Sequence, residues 1–284
     1  MDYRKKKSFS VVTIPTGIVE EDRGLIECCC SYDVVASLTS NDTWKNDVKG
    51  VYLKRSSLSD SVTFVIKKND VILANLGTVA TFPNEPLGIG FIYDWKRYLT
   101  AHGVGCYEIS KSFTISGVTG GFVEGIFNLS EYSTERLDNT CRIRSEFSSY
   151  NVKMDFDFTG SNLIDDLRFE GYFGLRQPNT EVSNLVNTGR KVVKTTREHL
   201  NTYELIAEPI TNCKSGLLLD MHLLNEDTCY LSDFNKANHS QYLDFSVILN
   251  GNVSVEYPGN ARIMKLSAQF GDKVVNQKSM YNVI

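Results

Sequence analysis

The chain has 284 residues, 42% of them hydrophobic and 23% charged, and a formal net charge of -4. These values exclude wholesale disorder, allow a core to be buried without covalent staples, and offer no concentrated basic face of the kind nucleic acid requires. The one basic run, Arg4-Lys5-Lys6-Lys7, has no apolar stretch behind it, so a secretory signal is not expected, and no segment is long and pure enough for a membrane span.

In chain order, the seven cysteines begin with Cys28-Cys29-Cys30 and continue with Cys106, Cys141, Cys213 and Cys229. The number is odd, no CxxC occurs, and adjacent cysteines in an extended segment point to opposite faces. Free thiols in a reducing compartment are expected, with no structural zinc. Val62, Phe64 and Ile66 then alternate with Thr63, Val65 and Lys67, and Lys68-Asn69-Asp70 turns into Val71-Ile72-Leu73, which predicts a hairpin. Across 89 to 102, Phe91, Trp95, Tyr98 and His102 share one side at helical spacing and Gly103 supplies a C-cap, predicting the one helix. The glycine clusters at 88–90, 103–105 and 117–121 form neither a phosphate-binding loop nor a dinucleotide fingerprint, and Gly120-Gly121 is read as a turn or bulge.

Ile143, Ser145 and Phe147 alternate with Arg142, Arg144 and Glu146. Val152, Met154, Phe156 and Phe158 alternate with Lys153, Asp155, Asp157 and Thr159, the plainest strand pattern in the chain, with one dry and one wet face. Thr159-Gly160-Ser161-Asn162 has turn chemistry. From 167 to 173, Leu167, Phe169 and Phe173 are expected inward and Arg168, Glu170 and Tyr172 outward. Arg176-Gln177-Pro178 then leaves the sheet as an extended segment. The polar stretch 181–200 is read as a loop or arm. Leu217, Leu219, Met221 and Leu223 predict a strand. Leu243 to Leu249, a two-residue turn at Asn250-Gly251, Val253 to Tyr257, a turn at Pro258-Gly259-Asn260 and Met264 to Phe270 predict a three-stranded meander.

The fold class expected is therefore mainly β: an antiparallel sandwich or barrel with one short α-helix and extended arms at 1–20, 178–200 and 271–284. A small β domain carrying the helix would occupy 1–106, and a larger antiparallel β domain 107–284.

Chemistry is sparse. The histidines, His102, His199, His222 and His239, show no metal-binding spacing, and no GxSxG elbow occurs. His222 falls in the apolar pattern predicted as a strand. Asp155 and Asp157, two apart on one predicted strand face, with Asp165, Asp166 and Glu170 nearby, are the candidate carboxylates for glycoside hydrolysis or cation binding; the plainer reading is a hydrated face with turn residues. No catalytic, cofactor or metal site is expected. The outward set Arg168, Glu170 and Tyr172, with Arg176, has the composition of a protein interface, since Arg and Tyr are enriched at hot spots and Arg–carboxylate pairs fix register.

The series Trp95-Lys96, His102-Gly103-Val104-Gly105-Cys106-Tyr107, Tyr132-Ser133, Cys141-Arg142-Ile143-Arg144-Ser145, Phe156-Asp157-Phe158-Thr159-Gly160-Ser161-Asn162, Leu167-Arg168-Phe169 and Gly174-Leu175-Arg176-Gln177-Pro178 resembles uncharacterised structural proteins of tailed bacteriophages and prophages of Bacteroidetes, over about 60 to 270. The resemblance implies a β-rich virion protein made in the host bacterial cytoplasm, a ring-forming component of the tail or head–tail junction. Its partners would be further copies of itself in a ring and neighbouring tail or neck proteins. Closed rings use heterologous contacts, here expected at Arg168, Glu170, Tyr172 and Arg176. The alternatives are a carbohydrate- or host-surface-binding β-sandwich presenting Trp44, Trp95 and Tyr172, and a hydrolase built on Asp155, Asp157 or Glu170.

Overall fold

In a computed structural model the chain is described for residues 31–115, 118–151, 155–186, 192–223, 228–236, 242–256 and 263–272, with backbone only across 175–201. The expected arm at 1–20, nearly all of that at 271–284, Cys28 to Cys30, and the turn at 258–260 lie outside the described residues.

The fold is mainly β, as the period-two patterns predict. A five-stranded sheet has the order β1-β8-β7-β3-β4, from β1 (Ser31–Ala36), β3 (Ser61–Lys68), β4 (Val71–Ile72), β7 (Gly105–Ile115) and β8 (Val118–Glu131). A three-stranded sheet β2-β6-β5 is built from β2 (Val48–Lys54), β5 (Thr78–Ala80) and β6 (Gly88–Asp94). The remainder closes a six-stranded antiparallel barrel, β12-β13-β16-β15-β14-β9, from β9 (Thr140–Glu146), β12 (Ile164–Val186), β13 (Val192–Thr211), β14 (Thr228–Asp233), β15 (Phe245–Glu256) and β16 (Ile263–Asp272). Closure leaves a barrel with no edge of its own.

The β3–β4 hairpin forms as predicted. Asn69 and Asp70 both have positive φ, 50° and 62°, the requirement of a two-residue turn matched to strand twist. Met264, Leu266, Ala268 and Phe270 are all buried on the inner face of β16, again as their alternation predicts. Sheet membership changes between Glu131 and Thr140, because β7 and β8 pair back onto β1 and β3; the division expected at 106 falls inside β7. One hydrophobic cluster runs from Trp95 and Phe127 through Leu167 to Phe270, so both sheet systems share a core.

Four local expectations are corrected. The helix α1 spans only Trp95–His102, while 88–94 is β6. Ile89, Phe91 and Tyr93 pack on the shared core and Ile92 on a second cluster, a period of two that holds until Asp94 caps the helix by accepting a hydrogen bond from Lys96 N at 3.0 Å. The strand predicted over 152–158 reduces, among the described residues, to β11 (Phe156–Asp157) paired with β10 (Tyr150–Asn151). Asp155 has φ 47°, which places it in a turn, and Phe156 and Phe158 enter an aromatic cluster with Tyr52, Phe82 and Phe147. Leu217 to Leu223 is helical: α2 (Asn212–Leu217) runs into a wider turn at Leu218–Leu223. Thr211 caps it through its hydroxyl, and Leu218, Met221 and His222 are buried at three- and four-residue spacing. Finally, Asn250-Gly251 is a bulge inside one continuous β15. Register passes from Leu249↔Phe270 to Val253↔Ala268, and Gly251 takes φ 126°. The freedom that suits Asn-Gly to a turn also suits it to a bulge, and the length of β16 decides between them.

Candidate functional site

β12 carries the residues predicted for an interface, and its pairing with β9 explains where they go. The register sets Asp166 opposite Arg144 and Arg168 opposite Arg142, all on the outer barrel face. That face is covered by the segment 43–48. Arg168 donates to Asp47 through Nη2 at 2.8 Å and Nε at 3.2 Å and lies over the Phe234 ring. Arg144 makes a second forked pair with Asp166, at 2.7 Å on both arms, and also donates to the Asn46 carbonyl. Arg142, fully buried, sits between them, 3.7 Å from both Asp47 and Asp166, donates to the Thr43 carbonyl and pairs with Asp244. Both carboxylates also accept from backbone: Asp47 from Val35 N at 2.9 Å and Asp166 from Val48 N at 2.8 Å. Three guanidiniums thus meet three carboxylates across the join between the sheets and the barrel. Burial alone would raise the Asp166 carboxyl, but the Arg144 and Arg142 charges beside it hold it below the ordinary range.

The four predicted interface residues therefore separate. Arg168 is on the outer face as expected, but is enclosed within the chain and committed to Asp47. Glu170 is exposed and, with Asp33, Arg136, Asp138 and Lys214, lines a groove of about 620 Å³ between the β1–β8 edge and the barrel. Tyr172 is half-buried, and burial followed by the Glu204 charge raises its hydroxyl. Arg176 falls in a bulge of β12 between Gly174 and Gln177, and its side chain lies outside the described residues.

At one end of the barrel a second polar set is enclosed. Ser145 Oγ and His222 Nδ1 are 2.8 Å apart, and Cys229 Sγ is 3.5 Å from Ser145 Oγ. Asp165 accepts from Lys49 Nζ at 2.7 Å and Gly50 N at 3.0 Å. Burial lifts the Asp165 carboxyl to about 6 and holds His222 down to about 3, so His222 is neutral and its 3.7 Å separation from Asp165 is no ion pair. Ser, His and Asp are the members of a hydrolytic triad, but all three are buried and Asp165 is engaged by Lys49 and the β2 backbone. The set works as a polar plug that seals the edge of β2.

The other candidates are also placed. Asp155 accepts from the Tyr150 hydroxyl at 2.7 Å and Asp157 from Thr159 N at 2.8 Å, so both serve local turns rather than a shared strand face. Trp95 is fully buried against Phe127 and Tyr107, while Trp44 lies edge-on to Tyr132 with Lys45 Nζ over its ring. Cys141 and Cys229 are buried free thiols and Cys106 is exposed. Among the described residues no group of three or more His, Cys, Asp or Glu side chains could hold a metal ion, and no helix is long and apolar enough to cross a membrane.

The last feature is the arm. Beyond the barrel, β12 and β13 continue as a two-stranded ribbon from Pro178↔Asn201 to Val186↔Val192. Among the described residues these stretches pair with nothing else. At about 3.3 Å per residue the ribbon reaches about 30 Å. The expected arm at 178–200 is thus, over its described residues, an antiparallel strand pair. Within the barrel below it, Gly171 takes φ 152°, where a Cβ would clash with the Ile206 carbonyl oxygen. No protein-family model matches the chain, and no curated protein matches it.

Proposed function

We propose that this chain is a structural virion protein of a tailed bacteriophage, a subunit that assembles into a ring in the tail or at the head–tail junction. The observation that carries the reading is the arm: a ribbon about 30 Å long, rooted in a closed barrel, with backbone donors and acceptors along its outer edges and no second layer among the described residues. A free two-stranded ribbon is marginal in water, whereas the same ribbon gains a ladder when a neighbour adds a strand. The barrel supplies a rigid base, and the buried Arg–Asp network holds the sheets in one orientation to it. Glu170 and Tyr172, near the root, are the predicted contact residues that remain reachable from outside. On this reading the chain is made in the bacterial host cytoplasm and acts by docking to copies of itself and to neighbouring virion proteins.

The test is the mass of the purified protein over a wide concentration range, with and without the arm. A discrete oligomer that disappears when the ribbon is shortened supports the proposal; an arm-independent monomer, alone and with virion proteins from the same assembly, removes it.

A further inference from the structure

We propose that the groove beside β1 binds an extended peptide segment of a partner protein, which adds to β1 as a strand and presents one acidic and one basic side chain to the groove walls. The proposal does not depend on what the arm docks to. β1 is an edge strand and, among the described residues, pairs only with β8. In a parallel ladder alternate residues turn both backbone groups to the neighbouring strand, and the others turn both away. Ala36 is of the first kind, since its carbonyl accepts from Tyr132 N, directly after β8, at 2.8 Å. Val35 is of the second: it donates to Asp47 Oδ2 and accepts from Asp47 N, both at 2.9 Å. Asp33, two residues earlier, therefore also turns its N–H and C=O away from β8. Asp47 takes the place of a strand at Val35 alone. At Asp33 the two backbone groups meet no partner among the described residues.

That open piece of edge lines the groove, together with Arg136, Glu170 and Lys214. Its volume of about 620 Å³ falls in the range of ligand sites, about 300–1,000 Å³. The walls carry charges of both signs that the chain leaves unused. Arg136 and Glu170 have no ion pair or side-chain hydrogen bond among the described residues. Lys214 Nζ meets only the Tyr32 ring, 6.0 Å from its centroid. Asp138, by contrast, accepts from Lys236 N at 3.0 Å and has Lys236 Nζ 3.9 Å away. An extended peptide satisfies both features at once. Its backbone completes the ladder at Asp33, while an acid for Arg136 or Lys214 and a base for Glu170 fix its direction. A small ion would leave the edge unpaired, and a polyanion would meet Asp33 and Glu170 in the same groove.

Single-residue hydrogen exchange of the full chain tests this. The probe is the peptide acetyl-Thr-Glu-Val-Lys-Val-Thr-amide at about 5 mM, above the ~1 mM dissociation constant of a weak contact. Without the probe, the Asp33 amide is expected to exchange at least tenfold faster than that of Val34, which faces β8. With the probe, the Asp33 amide slows at least tenfold and that of Val34 does not change. The same peptide N-methylated throughout, which cannot donate to a ladder, gives no slowing. Arg136→Glu and Glu170→Lys, both at exposed positions, each weaken the probe at least threefold. An Asp33 amide that is already slow in the free chain overturns the proposal, because the edge is then filled from within. No slowing with the probe, or equal slowing with the N-methylated peptide, also overturns it, as does a probe affinity that neither charge variant changes.

Discussion

Asp47 is the residue on which the join between the sheets and the barrel turns, and Asp47→Asn perturbs it with little change in shape. The carboxylate accepts two hydrogen bonds from Arg168 and one from Val35 N, and lies 3.7 Å from Arg142. In the wild type, Arg142, Arg144 and Arg168 face Asp47, Asp166 and Asp244, and the charges balance. The substitution leaves one positive charge in excess where Arg168 and Arg142 are almost wholly enclosed. Removing one partner of a buried pair costs about 3–5 kcal/mol, because the remaining charge keeps its desolvation penalty. The assay is urea denaturation at pH 7, with the double variant Asp47→Asn/Arg168→Met completing a cycle. The double variant restores neutrality, so it should recover about 2 kcal/mol or more of the summed losses of the two single variants. Raising salt should leave the Asp47→Asn loss nearly unchanged, since enclosed pairs are weakly screened. A loss under 1 kcal/mol for Asp47→Asn, or strict additivity in the cycle, would refute the account of this network as the clamp.

Other substitutions test neighbouring parts. Gly171→Ala places a Cβ against the Ile206 carbonyl at φ 152°, and should destabilise the barrel by about 3 kcal/mol or more, read as a lowered midpoint in thermal unfolding. Gly50→Ala puts a Cβ 2.5 Å from the Ile164 carbonyl oxygen, so it should loosen β2 from β12 and speed exchange of the Gly50 and Val48 amides that Asp165 and Asp166 hold. His222 supplies a pH test. Its folded value, about 3, lies below the ordinary 6.5, so its contribution is fully present above pH 6.5 and is lost as pH falls towards 3, by up to about 5 kcal/mol. Asp165, raised to about 6 from 3.8, has the opposite sign: its contribution is fully present below pH 3.8 and declines by up to about 3 kcal/mol as pH rises through 6. Denaturation across this range should therefore show a shallower acid slope in His222→Gln and a steeper one in Asp165→Asn.

Much of the fold was legible in the sequence because strands with one buried face announce themselves. The alternations at 62–66, 143–147 and 264–270 each became a strand in the structure. Where one local pattern serves two geometries, the outcome rests on distant partners. Asn250-Gly251 became a bulge because β16 pairs on both sides of it, and the run Leu217-Leu218-Leu219 has no period to separate strand from helix. Arg168 was rightly set on the outer face, but nothing local reveals that Asp47, 121 residues away in sequence, covers it. The available signal was the pair of patterns Arg142-x-Arg144 and Asp166-x-Arg168, unmatched charges on strand faces that need each other once the strands pair. The plug of Ser145, His222 and Asp165 joins three separate elements, and His222 was read on a strand that does not form. The arm was legible as a polar extension, but its paired-strand form follows only from the register of two long strands.

The central claim is that the arm makes this chain an assembling subunit. The most direct measurement is light-scattering mass across a hundredfold concentration range, for the wild type and a variant in which residues 178–200 are replaced by Asn-Gly. The account predicts a discrete multiple of the 32.0 kDa chain for the wild type, and a folded monomer with unchanged barrel stability for the variant. The same mass for both proteins would contradict it.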